Sequence, residues 1–444
     1  MSSLVYRINS VLSRLLQSVP IGTNLGLLYL LWMILSGRLL ESRGALIPGL
    51  ADMGLSDDTV RRSWAALCYG RWQTASLLSE YQQIVLEEGH WQAHRHGGYR
   101  VLAIDLVGFF RPRLSECPTK HYLSAAGKAL PAIPLGMAAR IGSVGGQRLA
   151  VPCLLVRSEP TDGGEDALQV RLLKRTQAQL ADDELIVCDR GFPLKQLQAA
   201  EVTRYVVRAA VNFTARRAYL PEYKGQGRPP EWGESVRPLS RKYNGKTIAA
   251  TTPDRTETWQ IGSQEQPLIV CAHFFDNLVR SDQKPGAQTF TCALIKDPRF
   301  EEPLLLNSPL PLSGPDLQAI YRDRWPIEGL PLTAKQMLGA GRQFVFAQES
   351  RQRLPEIALL SGALLSYLAA TQSALPTGFW DRAPKPTSGR LRRVLSQVHF
   401  QDLQGLPEQL RKKLSPTEHL PKGILGHRRH KMAAKGLYDM PLAA

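Results

Sequence analysis

"EDALQVRLLKRTQAQLADDELIVCDRGF", residues 165–192, carries the transition that decides the fold. Residues 165–181 have helical spacing. The run "DELIVCDRGF" then becomes a short apolar strand that ends at Asp189. A helix feeding a buried strand is the repeating unit of a layered α/β domain. Working outward, "LAVPCLLVRSE" (149–159) reads as the strand before this helix, and "PLKQLQAAE" (193–201) as a helix after it. "TRYVVRAAVN" (203–212) is a further strand, and "YRVLAIDLV" (99–107) is an earlier one expected to end at Asp105. The fold class is therefore α/β.

The flanks have a different texture. Residues 1–97 read as helical. "LGLLYLLWMIL" (25–35) is too short to span a bilayer, which needs about 20 residues, and reads as a buried helix. "LADMGLSDDTVRRSWAALCYGRW" (50–72) has the shape of a helix-turn-helix. Gly54 supplies its turn and Ser56 its N-cap, with Leu55, Val60, Trp64 and Leu67 facing a core. Arg61, Arg62 and Arg71 are left for DNA phosphates. Between about 212 and 288 the helical period disappears and a β-rich insertion is expected. Ser313 with Asp316 marks a helix start at "SGPDLQAIYRDRW". Residues 346–444 return to helix, with "LPEIALLSGALLSYLAAT" as a core helix and "TGFWDRAPKPTSGR" as a linker.

The chain of 444 residues carries a net charge of +16. Residues 381–444 hold 13 Lys+Arg and 5 Asp+Glu, so 13 − 5 = +8 lies in a basic tail. Clustered positive charge of this size predicts a polyanionic partner. The six cysteines are scattered singly, with no CxxC pair. This argues against a zinc ribbon and predicts reduced thiols in a cytosolic protein. "HWQAHRH" (90–96) reads as a solvated or DNA-facing segment. Its competing reading is a metal shared by His90 and His94, without an obvious third ligand nearby.

Chemistry concentrates in "YRDRWPIEGLPLTAKQML", residues 321–338. At about 100° per residue, Tyr321, Arg324, Glu328 and Lys335 fall in one arc of about 60°. Pro326 and Pro331 interrupt the pattern, so the helix is expected to kink near Glu328. Asp105 and Asp189, each expected at a strand end, add two more carboxylates at a sheet edge. Three converging carboxylates suit divalent cations that prefer oxygen ligands. Arg190 is weighed equally as a DNA-phosphate contact and as a side chain packed against the sheet. Trp232 and Trp259 are weighed as core or as stacking platforms for a base. Trp325 reads as a packing anchor, and Lys120 and His121 as a surface loop.

The spacing Tyr321–(2)–Arg324–(3)–Glu328–(6)–Lys335, with "AIDLVG" and "VCDRGF", resembles the DDE transposases of bacterial insertion sequences that carry a Tyr-Arg-Glu-Lys signature. The resemblance covers roughly residues 98–370. It implies a ribonuclease-H-like catalytic core over 98–345 with the β-rich insertion, flanked by helical N- and C-terminal regions. It further implies that Asp105, Asp189 and Glu328 bind two Mg²⁺ or Mn²⁺ ions. Tyr321, Arg324 and Lys335 would contact DNA. The expected activity is cleavage at transposon ends and strand transfer into target DNA by a homodimer in the bacterial cytoplasm, associated with the nucleoid. Two alternatives stay open: a catalytically inactive, transposase-derived DNA-binding protein, and a hydrolysis-only nuclease on the same core.

Overall fold

A helix that is apolar all round must be buried on every side, and the Thr23–Leu35 helix is, with Leu27 to Leu35 almost wholly out of solvent. The computed structural model describes residues 2–398 apart from 115, 116, 118, 163, 224, 226 and 263–266. The basic runs "LRKKL" and "GHRRHKMAAK" lie outside the described residues. Asp57–Tyr69 and the long Gln348–Ala370 helix pack on the Thr23–Leu35 helix, Ser2–Leu15 meets it where Trp32 Nε1 donates to Asn9 Oδ1 at 2.8 Å, and Thr74–Glu88 packs on Ser2–Leu15 and on Gln348–Ala370. The last is apolar and long enough to cross a membrane, yet 83% of its apolar window is buried inside the protein.

The helix-turn-helix shape is present. Leu46–Ala51 and Asp57–Tyr69 are joined through Gly54, at φ +73°. The Thr59 N–H donates to Ser56 Oγ at 3.4 Å. Leu55, Val60 and Leu67 are buried, while Arg61 and Arg62 are exposed. Arg62 is not entirely free for phosphate, because it pairs with Asp58 at 2.5 Å.

Five strands form the centre: β1 (Tyr99–Phe110), β2 (Lys128–Val144), β3 (Gln147–Arg157), β4 (Glu184–Cys188) and β5 (Tyr205–Arg208). Their spatial order is β3-β2-β1-β4-β5. The β3-β2-β1 ladders are antiparallel and the β1-β4-β5 ladders parallel. Gly145 and Gly146, at φ +53° and +80°, make the two-residue turn that closes β2 on β3. The Glu165–Gln177 and Leu194–Ala199 helices make the crossovers into β4 and β5. β4 is buried along its whole length, as a central parallel strand covered on both faces must be.

The β-rich region is not a separate layer. β5 presents an open edge that would otherwise leave backbone groups unpaired. It pairs antiparallel with Leu304–Ser308, which continues through Phe290–Lys296 to Leu268–Arg280 and the short Ala215–Arg217 strand. The result is one 14-stranded mixed sheet among the described residues.

Alternation along β1 sorts the two faces. Val101, Ala103, Val107 and Phe109 join the core shared with the helical regions. Leu102 and Ile104 face the core under the crossover helices. Asp105 has the parity of the first set. In β4, Leu185 and Val187 lie in that same core, so Asp189 continues the same face.

The expectation that Asp105 closes its strand fails. Asp105 does not end its strand: β1 runs on to Phe110. The parallel pairing with β4 stops at Ala103–Val187, but the antiparallel pairing with β2 continues to Phe110–Ala132. Asp105 therefore stands where one neighbour ends and the other does not.

Candidate active site

The Gly314–Arg322 helix starts at Ser313, whose Oγ accepts the Asp316 N–H at 3.2 Å and donates to Asp316 Oδ2 at 2.6 Å. Pro315 sits in its first turn, where no N–H is missed. Ser313→Ala should cost about 1 kcal/mol of stability. Urea unfolding checks this, and an unchanged midpoint would show that the cap contributes nothing.

Beyond Arg322 the backbone stays helical but changes its hydrogen bonding. Trp325–Glu328 is a 3₁₀ turn, Gly329–Leu332 is α, and Thr333–Met337 is a π turn in which Leu338 N–H reaches Thr333 O at 3.1 Å. Pro326 has no N–H to give the Arg322 carbonyl four residues back. Arg148 Nη1 donates to that carbonyl instead, at 3.3 Å. The segment tightens before Glu328 and widens after it, which agrees with the expected break in regular helix.

The stripe comes together in two parts. Arg324 Nη2 donates to Glu328 Oε1 at 2.6 Å, and its guanidinium lies 5.7 Å from the Tyr321 ring. Tyr321 and Arg324 are buried, while the Glu328 side chain is 40% exposed. Burial opposes the charge on Arg324, but the Tyr321 and Glu328 groups raise its pKa overall. Lys335 turns toward β1, with Nζ 5.1 Å from the Phe109 ring and 6.0 Å from Phe110. Burial pulls the Lys335 ammonium below its usual range, and Asp105 partly offsets this.

Asp105 is half-buried and accepts the Leu106 N–H at 2.8 Å. Its pKa is pushed up from 3.8 to about 7, first by burial and then by the Asp189 carboxylate, with a smaller push from Glu328. Leu106 N–H and Arg324 act the other way. Asp189 closes a tight turn, its Oδ1 accepting Gly191 N–H at 2.9 Å while Phe192 is buried behind it. The three carboxylates thus share one field from β1, the end of β4 and the 3₁₀ turn. They are not drawn into a closed ligand set: among the described residues, the three-residue group whose ligand atoms all lie within 4.8 Å is His94, His96 and Asp323. Glu328 is instead engaged by Arg324.

That His group is a candidate metal site with no signal along the sequence. The competing His90–His94 reading fails because the helix stops at Glu88 and Gly89 caps it at φ +68°. His94 and His96 lie instead on a short hairpin, and the third partner, Asp323, is 227 residues from His96. On the helical wheel Asp323 falls at about 200°, opposite the stripe, so periodicity gave it no weight.

Arg190 is exposed and, with Lys195, Arg208 and Arg280, lines a cavity of about 320 Å³. Trp232 lies under two cations, Arg216 at 5.0 Å and Lys284 at 5.6 Å. Trp259 packs against Gly314, where an added Cβ would come within 2.6 Å of it. Trp325 is no packing anchor: it is 55% exposed, with the Arg324 guanidinium 5.1 Å from its ring. The 3₁₀ turn leaves it on the outer side, beside the Arg324 guanidinium. Lys120 and His121 lie on a strand, Lys120–Leu123, rather than a loop, and His121 Nδ1 meets Glu165 Oε1 at 2.5 Å. All six cysteines are free thiols.

No family model and no curated protein matches the chain.

Proposed function

We propose that the protein is a DDE-type DNA transposase with a ribonuclease-H-like core, and that Asp105, Asp189 and Glu328 are its catalytic carboxylates. The observation that carries this reading is the shared field of these three groups, which pushes the Asp105 carboxyl up to about 7 through burial and the Asp189 charge. Perturbed acids of this kind mark functional sites. The strand order, antiparallel β3-β2-β1 followed by parallel β4 and β5, supports the core assignment. So does the position of the Tyr321–Lys335 segment on the Asp105 face.

The donor set is all carboxylate oxygen, which fits Mg²⁺ or Mn²⁺ and relieves the mutual repulsion of the acids. Asp105, Asp189 and Glu328 would hold two such ions. Bound there, they supply the Lewis acidity that activates an attacking oxygen and stabilises the leaving oxygen of a phosphodiester. The chain's own groups have separate tasks. Arg324 restrains the Glu328 carboxylate, and its guanidinium lies beside the Tyr321 and Trp325 rings. Lys335 places a cation beside Asp105, where a DNA phosphate can be held. Arg190 and its neighbouring cations extend the positive surface from the end of β4, and Arg61 and Arg71 offer a second contact on the helical region. Two ends must be held for cutting and joining, so the working unit on DNA is a homodimer.

The test is cleavage and strand transfer with DNA carrying the genomic flanks of this reading frame, in Mg²⁺ or Mn²⁺. Glu328→Gln should bind the same DNA and lose activity by roughly 10⁴-fold. If both proteins bind and neither cuts in any divalent metal, the chain is a DNA-binding protein only. Cleavage without joining of a pre-cut end would make it a nuclease. Binding should also weaken steeply with salt, with a log–log slope near −0.9 for each phosphate contacted on duplex DNA. A slope near zero in a binding titration would remove the basic surfaces from the interface.

A further inference from the structure

The Arg95–His96 strand folds back onto Tyr99–Arg100 through Gly97 and Gly98, both at positive φ, +54° and +86°. Only glycine adopts such a turn without strain. His94 is fixed by its own N–H, which donates to the Ile141 carbonyl of β2 at 3.0 Å. Residues two apart on an extended chain point the same way, so both imidazoles face the end of the Gly314–Arg322 helix. There Asp323 caps the helix and is 2% exposed. His94 Nδ1 and His96 Nε2 each stand 2.8 Å from the same oxygen, Asp323 Oδ2.

We propose that His94, His96 and Asp323 form a binding site for one divalent transition-metal ion of the zinc class, separate from the acidic triad. Two neutral imidazoles and one carboxylate are a nitrogen-rich set, which favours zinc or cobalt over magnesium. Ligand atoms within 4.8 Å of one another suit an ion at about 2.0–2.2 Å from each. Three protein ligands leave a tetrahedral position for water, and the histidine side chains are 22% and 23% exposed, which gives that water a path. Arg148 Nε forms an ion pair at 3.8 Å with the other carboxylate oxygen, Asp323 Oδ1.

The ion would join the hairpin in front of β1 to the end of the helix that carries Tyr321 and immediately precedes Arg324. It acts by positioning and takes no part in the chemistry. The site does not depend on the transposase reading, since none of its ligands belongs to the acidic triad.

The test uses the full chain without a histidine tag, stripped by chelator and titrated with Co²⁺. With excess Mg²⁺ present to occupy the acidic triad, wild type should take up one Co²⁺ per chain with visible d–d absorption, lose that absorption on adding Zn²⁺, and unfold at a higher temperature with either transition metal. His96→Ala and Asp323→Asn should each weaken Co²⁺ binding at least tenfold and lose the thermal gain. Glu328→Gln should keep both, which separates this ion from any held by the triad. If His96→Ala does not fold, Asp323→Asn and His94→Gln carry the comparison. Wild type without d–d absorption or thermal gain overturns the proposal and leaves a hydrogen-bonded staple. Unchanged binding in the folded variants overturns it equally.

Discussion

Asp105→Asn should make the metal-free protein more stable at pH 8 by about 2–3 kcal/mol while abolishing the proposed DNA cleavage. The Asp105 carboxyl has an ordinary value of 3.8 and stands at about 7 in the fold. Between those values the folded chain keeps a proton that the unfolded chain releases. Stability therefore falls as pH rises through this window and stays low above it. At ~1.4 kcal/mol per pH unit the full interval would be worth about 4 kcal/mol, and partial exposure of the group reduces that. The amide cannot ionise, so the gain from the substitution should shrink toward zero near pH 4. Urea unfolding at pH 4, 6 and 8 reads this directly. Magnesium should raise wild-type stability at pH 8 and do little for the variant. Equal stability of the two proteins at every pH would mean that Asp105 does not sit in a repulsive field, and the triad would lose its main support.

Arg157→Ala should destabilise the protein by about 3 kcal/mol without touching the candidate active site. Arg157, at the end of β3, grips Glu356 with Nε at 2.6 Å and Nη2 at 2.8 Å. Glu356 lies in the long Gln348–Ala370 helix, is 2% exposed, and also accepts the Thr74 hydroxyl at 2.6 Å. This one carboxylate links the sheet to both helical regions. Removing the guanidinium leaves a buried anion without its counter-charge, which is more costly than losing the pair as a whole. Glu356→Gln introduced with Arg157→Ala should recover much of the loss. Thermal or urea unfolding of the single and double variants provides the cycle. A single variant as stable as wild type would show that Glu356 is compensated from elsewhere.

The local signals in the sequence were reliable wherever the structure depends on neighbours along the chain. All-round apolar character placed Thr23–Leu35 inside. Ser56 and Ser313 capped the helices they precede, because capping needs only the next three residues. The four-residue arc held where it spans one turn, bringing Arg324 to Glu328. Across the following π turn it no longer held as a single cluster, and Lys335 went to Phe109 and the Asp105 side.

Sequence alone, then, determined an α/β chain with helical flanks, and it picked out a segment whose polar side chains share a face. Tertiary structure decided what those side chains meet. Asp105 lies inside a long strand because β2 pairs with β1 beyond the point where β4 stops, and register between strands is a long-range property. The β-rich region became an extension of the core sheet because the edge of β5 required a partner. His94, His96 and Asp323 met because a glycine turn aims two imidazoles at a helix end. Periodicity along a single segment carries no trace of such a meeting; only the packing of the hairpin against that helix creates it.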